Sequence, residues 1–201
     1  MDILQVDSKE ISIVPSVNQH FIDISQDPNK HDITYENSQA RERTQILMDL
    51  ANKTNGLVVG TGDLSELALG WCTYNGDHMS MYAVNASVPK TLVRYICESV
   101  ALDAKQSNNL KLYNVLMDIC DTPVSPELLP PDSHGRIQQK TEEVLGSYDL
   151  HDFFLYHMLR HHEEPKKIFD LAKLAFQSVD TNVILKAIQT FYSRFFTQQF
   201  K

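Results

Sequence analysis

The sequence predicts an α/β fold, incomplete in these residues and rich in helices. Two observations carry the prediction. A short apolar run ends at Gly60-Thr61-Gly62 and passes into a helix-like segment, the order of a βα unit. Helical spacing then recurs through most of the chain, with too few strands for a complete sheet.

The elements read as follows. Residues 8–14 form a short strand candidate. Residues 15–35, with Pro15, Pro28, Asp23, Asp27 and Asp32, read as a long polar connection, a length often functional or mobile. Asn37 or Ser38 caps a helix running to about Asn55. Its apolar positions Ile46, Leu47, Leu50 and Ala51 follow helical spacing, and Gly56 suits its end. Residues 57–60 are a buried strand and 63–70 a helix. Ser87 or Pro89 opens the next helix, to about Ala104, and 110–120 form another. Four prolines make 123–135 irregular. Helices follow at about 149–162, 165–177 and 181–200. Pro165 sits in the first turn of the second of these, and Val183, Ile184, Ala187, Ile188, Phe191 and Phe195 form the stripe of the last.

At 201 residues the chain is one large domain or one and a half small ones. An apolar content of 42% suffices for a core. The net charge of -8 argues against a general nucleic-acid surface, so an anionic ligand has to be met by local Arg and Lys side chains. Cys72, Cys97 and Cys120 are odd in number and lack a CxxC pair, which reads as reduced thiols of a cytoplasmic protein. Apolar runs fall far below the ~20 residues that span a bilayer, so no membrane partner is expected.

The most informative stretch is 58–93. A strand followed by a glycine turn and a helix offers free backbone N–H groups to an anion. Gly60 and Gly62 match the first two glycines of GxGxxG, but Ser65 replaces the third, so a dinucleotide fingerprint is not supported. Asp63 and Glu66 also read as a capping box. The two readings are compatible, because Glu66 could face a Mg²⁺ held by nucleotide phosphates. Arg41 and Arg43, roughly 200° apart on their helix, and Lys90 at a helix start all oppose a helix dipole. For Arg41 and Arg43 a carboxylate neighbour (Glu36, Glu42 or Asp49) or a bound phosphate would account for this, and Lys90 is either met by a bound anion or simply solvated. Trp71, Tyr74 and Tyr82 are core or a stacking surface for a planar ring. His157 and His161 share a helix face without an HExxH motif or a third ligand, so a structural or solvated role is expected. No catalytic triad motif is present.

Five segments resemble NAD synthetase: TYENSQARERTQILMDLAN at 34–52, VVGTGDLSELALGWCTYNGDHMSMYAVNASVPKTLV at 58–93, SPELLPP at 125–131, GSYDLHDFFLYHMLR at 146–160 and FYSRFFTQQFK at 191–201. The resemblance is to the synthetase domain of the glutamine-dependent bacterial form and runs from about residue 10 to the end. It implies a Rossmann-like three-layer parallel sheet of the ATP pyrophosphatase type. It also implies ATP-dependent amidation of deamido-NAD to NAD, through an acyl-adenylate, with release of pyrophosphate and AMP. Carried over by position, Thr61, Lys90 and Ser125 would contact ATP. Glu66 would lie near Mg²⁺ and deamido-NAD, so Glu66 and Lys90 are the candidate catalytic groups. Asn37, Arg41, Trp71, Cys72, Thr73, Tyr74 and Lys201 would line the deamido-NAD site. Ammonia would come from glutamine by way of a separate glutaminase domain, and the synthetase domain would form a homodimer.

The family's Ser-Gly-Gly-x-Asp-Ser phosphate loop does not occur in the 201 residues, nor does a glutaminase domain. The expectation is therefore a partial synthetase domain over 1–201, inactive by itself. A parallel sheet short of its first βα unit should expose apolar surface and an unpaired edge. The competing expectation is a non-catalytic module that binds the dinucleotide or mediates dimerisation.

Overall fold

The computed structural model describes residues 1–122 and 145–201. After a 3-10 turn at Asp2–Leu4, helix α1 spans Val14–Asp23 and α2 spans Ile33–Thr54. Strand β1 is Val59–Gly60, α3 is Leu64–Leu69 and β2 is Tyr82–Ala83. Helices α4 (Lys90–Gln106), α5 (Leu110–Asp121), α6 (Tyr148–His161), α7 (Pro165–Ala175) and α8 (Thr181–Thr197) complete the described elements.

Four expectations are corrected, the first being that the strand at 57–60 is buried: Leu57 is 58% and Val59 53% exposed. Residues 8–14 do not form a strand: Pro15 stands in the first turn of α1 and draws Val14 into that helix. The connection at 15–35 is therefore not wholly irregular. Val17 and Phe21, one turn apart, bury α1 against α2, where Phe21 stacks on Tyr35 at 5.5 Å. Helix α2 starts one turn earlier than expected. The Asp32 side chain accepts from the Thr34 and Tyr35 N–H groups and is the cap, in place of Asn37 or Ser38. The proline-rich stretch 123–135, with Ser125, lies outside the described residues.

The α/β expectation holds in coarse form: a helix-rich domain with a small parallel sheet. β1 pairs with β2 in parallel, Val59 opposite Tyr82 and Gly60 opposite Ala83. β2 was not anticipated, because two residues carry no periodicity. Gly60 is required there, since a Cβ would lie 2.4 Å from Ser80 Oγ.

The core lies among α3, α6, α7 and α8. Leu69, Phe154, Ile168, Ala172, Ile184 and Phe191 are all essentially buried. Away from it, α4 packs along α5 across the turn at 107–109, and only Ala101 and Ala104 of α4 are buried. Tyr95, Ile96, Val100 and Ile119 are exposed, as are Val59 and Tyr82 of the sheet. No described helix is long and apolar enough to cross a membrane.

Candidate functional site

The turn from β1 into α3 builds the first half of the site. Asp63 caps α3, its side chain accepting from the Glu66 N–H at 2.9 Å. The Glu66 carboxylate accepts in return from the Asp63 N–H at 3.3 Å, which completes the capping box. The capping reading is therefore correct, and it does not exhaust these carboxylates. Lys90, the first residue of α4, sets its ammonium 2.7 Å from Asp63 Oδ2 and 2.8 Å from Glu66 Oε1. It also lies over the Tyr148 ring at 5.2 Å. Lys90 is thus ion-paired and not the plain solvated lysine that was one of its two readings.

Burial raises the Glu66 pKa, with the nearby Asp63 charge adding to the rise and Lys90 opposing it. Burial disfavours the Lys90 ammonium, but Glu66 and Asp63 outweigh this and leave its pKa raised. The result is two carboxylates and one cation in a half-buried cluster at the end of a strand, with one net negative charge. A phosphate approaching Lys90 would meet a cation already shared between two carboxylates.

Glu66 fits a Mg²⁺ site only in part. Magnesium takes one or two carboxylates and fills its other positions with water and phosphate. Glu66 supplies one hard oxygen ligand, but its Oε1 is held by Lys90. Among the described residues no group of three His, Cys, Asp or Glu side chains is placed to hold a metal. The rings of His157 and His161 are 5.4 Å apart and share no third ligand there.

The loop after α3 forms the second half. Gly70 ends the helix at φ 56°, and Trp71 N–H closes the turn on the Glu66 carbonyl at 2.9 Å. The Thr73 N–H donates to Asp77 Oδ1 at 2.7 Å and its hydroxyl to Asn37 Oδ1 at 2.9 Å. His78 Nδ1 lies 2.9 Å from the Thr73 carbonyl. Arg41 Nε donates to the Tyr74 carbonyl at 3.1 Å. Helix α2 thus presents Asn37 and Arg41, one helical turn apart, to this loop. Burial and the Asp77 charge push the Cys72 thiol up to about 11, so it is neutral and unreactive at pH 7.

The end of the chain closes over the same turn. Arg194 of α8 donates to the Leu69 and Gly70 carbonyls at 2.9 and 3.3 Å, and its guanidinium lies 5.0 Å from the Trp71 ring centre. Gln199 donates to the Ala68 carbonyl at 3.0 Å, and Lys201 Nζ to the Gly70 carbonyl at 3.0 Å. Carbonyls that a helix end leaves unpaired are thereby satisfied from across the molecule.

Of the residues singled out from sequence, Glu66 and Lys90 are in contact. Asn37, Arg41, Thr73 and Tyr74 form a second group, and Trp71 and Lys201 meet at Gly70 through its carbonyl and Arg194. Cys72 sits within the same loop. Thr61 is exposed between β1 and α3, and Ser125 lies outside the described residues. Three contributors escaped the sequence reading. Asp77 stood in a polar loop, and Arg194 sat inside an apolar helical stripe. Asp152 stood in the first turn of the helix expected from about 149. Its carboxylate accepts from the Ser65 hydroxyl, the Thr91 N–H and the Thr91 hydroxyl.

A family model described as NAD synthase matches residues 1–194. A glutamine-dependent NAD(+) synthetase of Mycobacterium leprae is 45% identical over 139 residues, 69% of this chain and 20% of that protein. One of Acinetobacter baylyi is 37% identical over 161 residues, 79% of this chain and 26% of that protein. The chain therefore spans about a quarter or less of the length of these relatives. An NMN synthetase structure from Francisella tularensis covers 98% of this chain and 66% of its own, with TM-score 0.66 at 20% identity. A glutamine-dependent NAD(+) synthetase structure from Cytophaga hutchinsonii covers 92% of this chain and 28% of its own, with TM-score 0.63 at 21% identity. At these identities the likeness shows a shared fold.

Proposed function

The chain belongs to the NAD synthase family, and on that premise we propose that it supplies part of the site at which deamido-NAD is amidated to NAD. The proposed reaction is a two-step ligation. The nicotinate carboxylate attacks the α-phosphorus of ATP, forming an acyl-adenylate and releasing pyrophosphate. Ammonia then attacks the acyl carbon, and AMP leaves with the bonding pair. Activation is needed because a carboxylate oxygen is a poor leaving group. The observation that carries the reading is the Lys90 ammonium, held 2.7 and 2.8 Å from Asp63 and Glu66 at the strand end.

In this reading Lys90 is the cation for ATP phosphate, and Thr61, exposed at the strand end, is a further ATP contact, as is Ser125. Glu66 orients the deamido-NAD end and is the carboxylate that would hold Mg²⁺. The metal, when bound, offsets phosphate repulsion. For Lys90 to meet phosphate it has to share or release Glu66. Asn37, Arg41, Trp71, Cys72, Thr73 and Tyr74 form the deamido-NAD side. Lys201 joins them by exchanging the Gly70 carbonyl for the ligand. Catalysis would rest on positioning, charge stabilisation and exclusion of water, without a conventional general base.

The larger setting is proposed with it: a cytoplasmic homodimer, ammonia from a glutaminase domain, and a sheet completed as a three-layer ATP pyrophosphatase fold. The 201 residues hold no Ser-Gly-Gly-x-Asp-Ser loop to grip pyrophosphate, so by themselves they are proposed to be inactive. The test incubates the polypeptide as its gene encodes it with deamido-NAD, Mg-ATP and ammonium, and follows NAD and AMP. Formation of both, with a loss of at least tenfold in a Glu66→Gln variant, is expected. Absence of NAD refutes the reading, and turnover by the 201 residues alone refutes their inactivity.

A second reading is a non-catalytic module for dinucleotide binding or dimerisation. The exposed Val59, Tyr82, Tyr95, Ile96, Val100 and Ile119 favour it. Calorimetric titration of the 201 residues with deamido-NAD, with Lys201→Ala as control, separates the two. Binding without turnover in any form of the protein favours the module.

A further inference from the structure

We propose that Asp152 is a positioning residue, whose carboxylate locks the starts of α3 and α4 together and so sets the Lys90 ammonium between Asp63 and Glu66. The group is 8% exposed and makes three contacts from α6. It accepts from the Ser65 hydroxyl, in the first turn of α3. It accepts from the Thr91 N–H at 2.9 Å and the Thr91 hydroxyl at 2.7 Å, in the first turn of α4. The same Ser65 oxygen accepts the Lys90 N–H at 2.9 Å. The Ser65 hydroxyl of α3 and the Thr91 N–H of α4, which lacks a helical partner, thus converge on one buried carboxylate.

The geometry has a consequence for the cluster. The backbone of Lys90 is pinned through Ser65, and the carboxylates it reaches are two residues before Ser65 and one after it. A small rotation of α4 about its start would carry the Nζ away from one or both carboxylates. The helices themselves supply little restraint, because α4 buries only Ala101 and Ala104. Asp152 touches neither Lys90 Nζ nor Glu66 directly, so its influence runs through Ser65 and Thr91. Its assignment goes beyond the ligation reading and rests on it only for the consequence to catalysis.

The test is Asp152→Asn, with Ser65→Ala as a second variant that removes the link and spares the carboxylate. The readout is competitive amine labelling of Lys90 in the folded chain, quantified by peptide mass spectrometry with Lys186 as an internal reference. An ammonium clamped by two carboxylates labels slowly. Both variants are expected to raise Lys90 labelling several-fold, to the range of an ordinary lysine, while far-UV circular dichroism remains native. Unchanged labelling in either folded variant overturns the proposal. Should Asp152→Asn fail to fold, Thr91→Val, which removes a bond to Asp152 and keeps the Ser65–Lys90 contact, decides by the same readout.

Labelling does not depend on the reaction, so it separates the two claims. In the gene-encoded polypeptide, Ser65→Ala is expected to lower kcat at least tenfold with the KM for deamido-NAD little changed. Faster labelling with unchanged kcat leaves Asp152 as the positioning group and refutes the catalytic role of Lys90.

Discussion

Replacing Lys90 with Met tests the central cluster. The substitution keeps the length of the side chain and removes its charge. Asp63 is 4% exposed at its side chain, Lys90 22% and Glu66 28%. Removing one partner of a buried pair costs about 3–5 kcal/mol, whereas exposed pairs contribute about 0–1. The partial exposure of Glu66 lets water reach one anion, so the expected loss at pH 7 is about 2–4 kcal/mol. In a domain of this size that lowers the Tm by roughly 5–15 °C.

The pH dependence gives a second, independent signature. Glu66 already has a raised pKa in the folded protein, with Lys90 opposing the rise. Without Lys90 it rises further, so the folded variant binds a proton that the unfolded chain releases. Stability then falls as pH rises from the unfolded carboxyl value of 4.5 through the folded value. The Lys90→Met defect should therefore shrink as pH falls from 7 to 5. Urea denaturation followed by far-UV circular dichroism, at both pH values, measures it. A loss under about 0.5 kcal/mol, independent of pH, would refute the interior ion cluster.

Two further perturbations address other parts of the fold. Gly70→Ala should destabilise by about 2–4 kcal/mol, from the cost of φ 56° in a residue with a side chain and from a Cβ 2.4 Å from that of Gln198. The same urea titration detects it, and a neutral result would mean that the C-terminal tail does not pack against this turn. His151 is 1% exposed, lies 2.8 Å from the Leu145 carbonyl through Nε2, and stacks on Phe191. Burial lowers its pKa, against the Leu145 bond and the Asp152 charge, so its contribution to stability is present above pH 6.5 and lost as pH falls below it. His151→Phe should flatten the stability-versus-pH slope below pH 6.5, and an unchanged slope would exclude His151 as its source.

Local chemistry explains what was readable in advance. The capping box of α3, Pro165 in the first turn of α7 and the stripe of α8 are written in residues three or four apart, and each element formed within a few residues of its expected range. Errors arose where two local signals competed. At α2 the Asp32 cap prevailed over Asn37 and Ser38. At α1 the prolines and aspartates of 15–35 read as a connection, but Pro15 in the first turn and the packing of Val17 and Phe21 against α2 favoured a helix.

Sequence by itself determined the α/β class in coarse form, the helices other than α1, the absence of a long apolar span, and the candidacy of Glu66 and Lys90. These follow from neighbours along the chain, whose spacing sets which face an element presents. Tertiary structure decided the rest. It paired β1 with β2 across 22 residues of chain. It brought Asn37 to Thr73 and Arg194 to Leu69, and it joined Asp152 to Ser65 and Thr91. Such contacts leave no periodic trace, because a side chain's partner 87 or 125 positions away is fixed only when the core of α3, α6, α7 and α8 closes.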